Sequence, residues 1–507
     1  MKFAAAIATG LLLVLTFPNF DIPIFAWIAL VPLMLACADE DRAGRRFLLA
    51  WLSGNVFFLG TCCWCYGVMH HYGHLSVLAS TGVLLAMTAG LACYWGLFAV
   101  VFPLLLDRPW LTLVGSGALW TACEFARGHV FIGFPWLFIG YATTSTTLLA
   151  RLSQFTGVYG LSFLVAAFNA GVFLMIRHPE QRVWRLRMAI AFLALSALSF
   201  GQTLVSAEHP TESAYLLQTN VPLDLEWTPE YRDQFMREMG TATIARYARN
   251  ESMAGLIIWP ETPAPFYYRQ DSRLRAELAT LARATQSHIL LNTVTYDGDS
   301  TEHPLNSTVS IDDHGMLAGQ YDKIELVPFG EHVPYASLFF FAGKLTAEVG
   351  DFVPGQHYAL VPGAGNSRVA VTICYEAGFP ELVRELTSKG ANVIVNQSND
   401  GWFNVGFGES PARRQHLLMA RMRAIENDRW LLRATNDGVT AVIDPEGRVE
   451  VFPGGTHAAF LAHYSLKSTR TLYTAWGDWF PLLCVLCSVA LLVVQALGCV
   501  LIRPRKT

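Results

Sequence analysis

Three ionisable residues each stand directly after an apolar or aromatic stretch: Glu261 in Trp259-Pro260-Glu261, Lys323 in Tyr321-Asp322-Lys323, and Cys374 in the run from Val371 to Glu376. A carboxylate, an ammonium and a thiol in that order can supply an acid/base, an oxyanion stabiliser and a nucleophile. Of ten cysteines, nine lie in strongly apolar stretches; only Cys374 sits in the polar part of the chain, where it has no partner for an internal disulfide. Taken singly, each has a plainer reading: a buried small hydrophobe, a surface carboxylate, a solvated lysine. Their recurrence at the ends of apolar runs favours chemistry.

The elements that would position them alternate short β-rich runs with amphipathic segments. Runs at 215–220, 255–261 and 288–296 are separated by helices near 229–249 and 271–285. Further strands are expected at 306–312, 368–374, 393–396, 430–434 and 440–443. Helices are expected at 379–389, where Phe379, Leu382, Val383 and Leu386 fall on one face, and at 411–427. Such alternation indicates an α/β layered fold. Cys374 is expected to end a strand just before a helix whose N-terminus lowers its thiol pKa. Glu261 is expected to end a strand as well, because Pro260 cannot donate to a central ladder.

The rest of the chain is of another kind. At 507 residues, 53% hydrophobic and 15% charged, the protein is too apolar for a soluble one and is expected in a membrane. The apolar residues fill the first two hundred positions and the last thirty. Eight spanning helices are expected, at 3–17, 22–37, 47–69, 75–106, 110–126, 154–176, 188–206 and 480–502, the fourth able to kink at Pro103. The domain boundaries are then 1–206 for seven helices, 207–476 for the α/β domain, and 477–507 for the last helix and tail. Lys2, Arg42, Arg45, Arg46, Arg108, Arg177, Arg182, Arg185, Arg187, Arg503, Arg505 and Lys506 all fall on one side of that arrangement. Both termini are therefore expected in the cytoplasm and 207–476 across the membrane, the periplasm in a Gram-negative cell. A net charge of −4 with no basic run interleaved with aromatics excludes nucleic acid as a partner. His70, His71 and His74 have near-metal spacing but no carboxylate or cysteine pattern joins them, so no metal is expected. Glu124 and Arg127, three apart near a helix end, are expected to pair, snorkel or meet a lipid head group.

Trp-Pro-Glu at 259–261, Tyr-Asp-Lys-Ile-Glu-Leu-Val-Pro-Phe-Gly-Glu at 321–331 and Ile-Cys-Tyr-Glu at 373–376 resemble, in that order, the Glu-Lys-Cys signature of the nitrilase superfamily. The Leu-Val-Pro-Phe-Gly-Glu extension, Ser-Asn-Asp-Gly-Trp-Phe at 398–403 and the flanking spans narrow the resemblance to the bacterial apolipoprotein N-acyltransferases. It implies an αββα sandwich on a membrane helical bundle in the inner membrane, facing the periplasm. The implied activity moves an acyl chain from a phospholipid, typically phosphatidylethanolamine, to the N-terminal diacylglyceryl-cysteine of an apolipoprotein, through a thioester and with no cofactor. A monomer is expected. By resemblance Glu261 is the general base, Cys374 the nucleophile, and Lys323 with the Tyr375 N–H the oxyanion stabilisers. Glu331, Tyr375 and Glu376 are supporting residues. Trp227 corresponds by order to a functional tryptophan on a mobile arm, with ordinary packing as the other reading. Phe339, Phe340 and Phe341 form an aromatic run that is core or, given lipid substrates, a lid that dips into the outer leaflet. Two rivals stay open: a membrane-anchored amidase or hydrolase using the same triad with water, and a non-catalytic lipid transporter or scaffold, which leaves the three motifs unexplained.

Overall fold

The computed structural model describes residues 1–145, 147–200, 209–223, 225–248, 255–261, 266–296, 303–335, 352–404 and 410–501. The chain divides into two compact units, one of Met1–His70, Leu75–Val205 and Trp476–Thr507, the other of His71–His74 and Ser206–Ala475.

The apolar sequence of the first unit folds as helices: α1 (Lys2–Thr16), α2 (Val31–Ala38), α3 (Ala43–Cys62), α4 (Trp64–His71), α5 (Val77–Val101), α6 (Pro109–His129), α7 (Thr147–Ala150), α8 (Ser153–Arg177), α9 (Arg182–Phe200), and the C-terminal Trp479–Leu501. Small residues let α3 and α5 approach closely: a Cβ on Gly54 would lie 2.9 Å from that of Ala92. Among the described residues, Val77–Leu105 and Ser153–Arg177 are long and apolar enough to cross a membrane; α3 with α4, bent by 57° between them, could make a third. Lys2–Thr16, Pro23–Ala38 and Trp479–Gln495 are shorter apolar helices. Near Pro103, where the sequence allows the helix to kink, α5 passes at Val101 into a 3-10 turn, Phe102–Leu105, and the two continue as one apolar segment, Val77–Leu105; proline lacks the N–H that an α-helix requires. Glu124 and Arg127 do not snorkel. Both are buried, and they fasten the chain after α6: Arg127 Nη1 donates to the carbonyls of Phe134 (2.9 Å) and Trp136 (2.8 Å), and Glu124 Oε1 accepts the Ile139 N–H at 2.8 Å.

In the second unit two six-stranded sheets form. The first has the order β12-β1-β2-β3-β4-β5, with β1 (Glu212–Gln218), β2 (Leu256–Ile258), β3 (His288–Tyr296), β4 (Pro304–Ile311), β5 (Leu317–Asp322) and β12 (Ala458–Tyr464). The second runs β11-β10-β9-β8-β7-β6, with β6 (Val361–Pro362), β7 (Arg368–Ile373), β8 (Val393–Ser398), β9 (Leu431–Thr435), β10 (Ala441–Ile443) and β11 (Val449–Val451). Period-two alternation sorts the first sheet's side chains into two layers. Tyr215, Leu217, Ile257, Ile289 and Leu291 pack with Phe235 and Met239 of α10 (Pro229–Ala248) and Leu274, Leu278 and Leu281 of α11 (Ser272–Thr285). Leu216, Leu256, Ile258 and Leu290 instead join Val369, Val371, Val393 and Val395 of the second sheet. Leu382, Val383 and Leu386 of α12 (Pro380–Ser388) and Ala420 and Ala424 of α13 (Pro411–Asn427) complete that core, giving helix, sheet, sheet and helix layers. Local signals set the helix ends: Asp271 Oδ1 caps α11 by accepting the Leu274 N–H at 2.9 Å, and Pro380 and Pro411 open α12 and α13.

Candidate active site

Strand order explains how residues distant in sequence meet. Glu261 follows β2, Asn292 lies on β3, Asn306 on β4, and Lys323 follows β5, all four strands being neighbours in one sheet. The β4–β5 ladder pairs Ser307 with Asp322, and one step further the Lys323 N–H donates to the Asn306 carbonyl at 2.8 Å. Glu261 itself does not end the strand as expected. The strand stops at Ile258, although the Trp259 N–H still reaches the Leu290 carbonyl at 2.9 Å.

Lys323 is 1% exposed and lies between two carboxylates: its Nζ donates to Glu331 Oε1 at 2.9 Å and sits 3.5 Å from Glu261 Oε1. Burial alone would push its pKa down; the charges of Glu331 and then Glu261 outweigh it and hold the ammonium above the usual lysine range. The Asn306 amide donates to Glu261 Oε1 (3.1 Å) and Glu331 Oε1 (2.9 Å), and its oxygen accepts from Asn292 Nδ2 at 2.8 Å. Glu331 Oε2 accepts the Val327 N–H at 2.8 Å, and Glu261 Oε2 the Asn399 N–H at 3.1 Å. Each carboxylate is thus aimed by donors from separate loops.

Cys374 comes from the other sheet. Strand β7 ends at Ile373, and Cys374 opens a 3-10 turn, Cys374–Gly378, with φ of +52°. A non-glycine residue in that region costs about 1–3 kcal/mol and persists only where its surroundings hold it. They do so from two sides. Glu376 Oε2 accepts the Ile373 N–H at 2.7 Å, and His416 Nε2 lies 2.9 Å from the Cys374 carbonyl oxygen. The thiol is not lowered by a helix N-terminus as expected. The helix α12 begins only at Pro380, beyond the 3-10 turn, and burial pushes the thiol up, with the Glu261 charge adding to this against the opposing charge of Lys323.

Glu376, fully buried, gathers the remaining motif: its Oε1 accepts from Tyr321 Oη (2.8 Å) and from the N–H groups of Ile324 (2.7 Å) and Glu325 (3.2 Å). Burial nevertheless lifts its carboxyl to about 7. The Tyr375 ring, half buried, packs edge-on to Phe379 at 4.9 Å. Trp227 stands in an aromatic cluster, edge to face with Tyr231, Phe235 and Phe266 at 5.2, 5.5 and 6.0 Å. Phe339, Phe340 and Phe341 lie outside the described residues.

Residues 9–171 of the chain match the apolipoprotein N-acyltransferase N-terminal domain, and residues 225–463 match carbon-nitrogen hydrolase. An apolipoprotein N-acyltransferase of Geobacter metallireducens is 33% identical over 498 residues, which cover 95% of this chain and 93% of that protein. The chain belongs to the apolipoprotein N-acyltransferase family. The relative from Methylococcus capsulatus is 34% identical over 94% of this chain and 92% of its own, and that from Azotobacter vinelandii 31% over 99% and 95%.

For this member of the apolipoprotein N-acyltransferase family, the structure adds Asn292, Asn306, His416 and Arg433, which the motifs did not single out, and gives the partners of Asp400 from the 398–403 motif. Asn306 and Asn292 lie on expected strands, but their partners become visible only with the strand order. A second group, Asp400, His416 and Arg433, is fully buried behind Cys374. Asp400 Oδ2 accepts from Arg433 Nη2 at 2.7 Å, its Oδ1 accepts from Ser398 Oγ at 2.9 Å, and Arg433 Nη2 also stands 3.1 Å from His416 Nδ1. Burial would raise the Asp400 carboxyl; Arg433 and His416 outweigh it and hold it below the usual range. Gly438, with φ of +155°, leaves room for this carboxylate, since a Cβ there would lie 2.5 Å from Asp400 Oδ2.

Proposed function

We propose that this chain transfers an acyl group from a phospholipid, phosphatidylethanolamine being the expected donor, to the α-amine of the diacylglyceryl-cysteine that begins an apolipoprotein. The observation that carries the chemistry is the buried Glu261–Lys323–Glu331 cluster, in which the charges of Glu261 and Lys323 act on the thiol of Cys374. Because burial keeps that thiol protonated at rest, the proton leaves during attack: Glu261 takes it as sulfur bonds the ester carbonyl carbon. Charge then develops on the carbonyl oxygen. Lys323, held as ammonium, and the Tyr375 N–H stabilise it. The C–O bond breaks, Glu261 returns the proton to the departing lysophospholipid, and a thioester on Cys374 remains. The lipoprotein amine attacks this thioester with Glu261 taking its proton, the C–S bond breaks, and the proton goes back to sulfur as the amide is released. Glu331 and Asn306 keep Glu261 and Lys323 in register.

A lipid donor calls for a membrane setting, and the helical unit supports one. In this reading eight apolar segments span the inner membrane, both termini are cytoplasmic, and the α/β unit acts in the periplasm as a monomer. The deciding experiment uses purified protein, phosphatidylethanolamine labelled in its sn-1 chain, and a synthetic peptide beginning with diacylglyceryl-cysteine. Label is expected as an amide on the peptide; release of free fatty acid with the peptide unchanged would instead indicate a hydrolase.

A further inference from the structure

We infer that His416 is a positioning residue for the oxyanion donor, fixing the peptide plane that carries the Tyr375 N–H through its hydrogen bond to the Cys374 carbonyl. This rests on the proposed acyl transfer through Cys374. The Cys374 carbonyl and the Tyr375 N–H belong to one trans peptide unit, so the two groups point in opposite directions from a single rigid plane. Whatever holds the carbonyl therefore aims the N–H. His416 Nε2, 2.9 Å from that carbonyl oxygen, is the side chain that does so.

The plane needs holding because Cys374 sits at φ +52°, a conformation its own backbone disfavours. One peptide further back, the Thr372–Ile373 unit is already gripped by Glu376 through the Ile373 N–H. Without His416 the following peptide could turn about the Cys374 ψ while the Sγ atom and its neighbours stayed in place.

The histidine is itself locked. Its Nδ1 lies 3.0 Å from Asp400 Oδ1 and 3.1 Å from Arg433 Nη2, and Arg433 Nη1 also donates to Asn396 Oδ1. Asn396 in turn donates to the Thr372 carbonyl at 3.1 Å, on the strand that delivers Cys374. His416, Asp400, Arg433 and Asn396 are all fully buried, so water cannot substitute for a lost partner. A network of this rigidity exceeds what one imidazole needs for packing. It suits a group that must be accurate where charge develops, since a misplacement of about 1 Å can cost on the order of 10²-fold in rate.

The test compares His416→Gln, His416→Asn and His416→Leu in the full-length protein. Three quantities are read: the rate and phospholipid concentration dependence of Cys374 acylation, the rate of Cys374 alkylation by iodoacetamide, and Tm. The glutamine amide reaches the Cys374 carbonyl, the shorter asparagine does not, and leucine has no donor. Acylation is expected near the wild-type rate in the Gln variant and slower by about 10²-fold in the Asn and Leu variants, with the half-saturating phospholipid concentration unchanged, because only the transition state carries the oxyanion. Alkylation, which forms no oxyanion, is expected to stay near wild type in all three. Should the Leu variant fail to fold, the Asn and Gln pair decides. Equal acylation by those two, or alkylation falling in parallel with acylation, overturns the inference. Absence of any Cys374 acyl adduct in the wild-type protein would instead overturn the reading on which it rests.

Discussion

The carboxylate of Glu376, two residues past Cys374, accepts the backbone N–H of Ile324, the residue after Lys323, at 2.7 Å. One buried side chain therefore ties the loop that delivers the ammonium to the turn that delivers the thiol, although the two motifs come from different sheets. The spacing between nucleophile and oxyanion stabiliser is set by hydrogen bonds rather than by apolar packing alone.

Glu376 should also leave a mark on stability. Its carboxyl is raised from 4.5 to about 7, so the folded state binds that proton more tightly than the unfolded chain. Its contribution is therefore most favourable at low pH and is lost as pH rises from about 4.5 to about 7, a change on the order of 3 kcal/mol. Tm measured from pH 5 to pH 8 should fall more steeply in the wild type than in Glu376→Gln. Parallel slopes would contradict the assignment.

Glu261→Gln and Lys323→Met should both block thioester formation from phospholipid, not merely its discharge to the amine. For Lys323→Met the loss in acylation rate should be about 10²–10³-fold, the usual effect of removing an oxyanion donor. Quantifying acylated Cys374 with no acceptor present checks this; full acylation in either variant would reject the roles given to these residues.

Arg433→Met should destabilise the α/β unit by about 3–5 kcal/mol, because it leaves the Asp400 carboxylate buried without its cation. The double variant Arg433→Met/Asp400→Asn should recover part of that loss, since no uncompensated charge remains. Thermal unfolding of the wild type, Arg433→Met, Asp400→Asn and the double variant measures it, and strictly additive losses would show that the pair is not coupled.

A periplasm-active reporter inserted at the exposed turn around His314 should be active, and one at Glu180 should not. The reverse pattern would overturn the orientation drawn from the arginine distribution.

Much of the layered unit was readable from periodicity. The strand His288–Tyr296 and the helix near 411–427 stand where apolar spacing placed them. The strands β5, β6, β11 and β12 were not read. Leu317–Asp322 is a half-exposed strand with glycine in its centre, and Val449–Val451 is an exposed edge of three residues, so neither shows the alternation that burial imposes. The helical unit was harder for a related reason: apolar composition marks a segment as membrane-compatible but does not reveal a break such as the 57° bend between α3 and α4. At the site, Glu261 and Cys374 announced themselves by standing at the ends of apolar runs, and Lys323 by the Tyr-Asp-Lys motif that opens 321–331. Asn306, His416 and Arg433 did not, because each lies within a regular element and acquires its partners through strand and helix neighbours far away in sequence.

The central claim is that Cys374 carries the acyl group between two substrates. Intact-protein and peptide mass spectrometry after incubation with phosphatidylethanolamine alone tests it most directly. The wild type and Cys93→Ser are expected to gain the mass of one acyl chain on Cys374, removable by hydroxylamine and lost on adding the diacylglyceryl-cysteine peptide, whereas Cys374→Ser, with an unchanged Tm, gains none and supports no transfer. Transfer to the peptide by Cys374→Ser at near the wild-type rate would contradict the account.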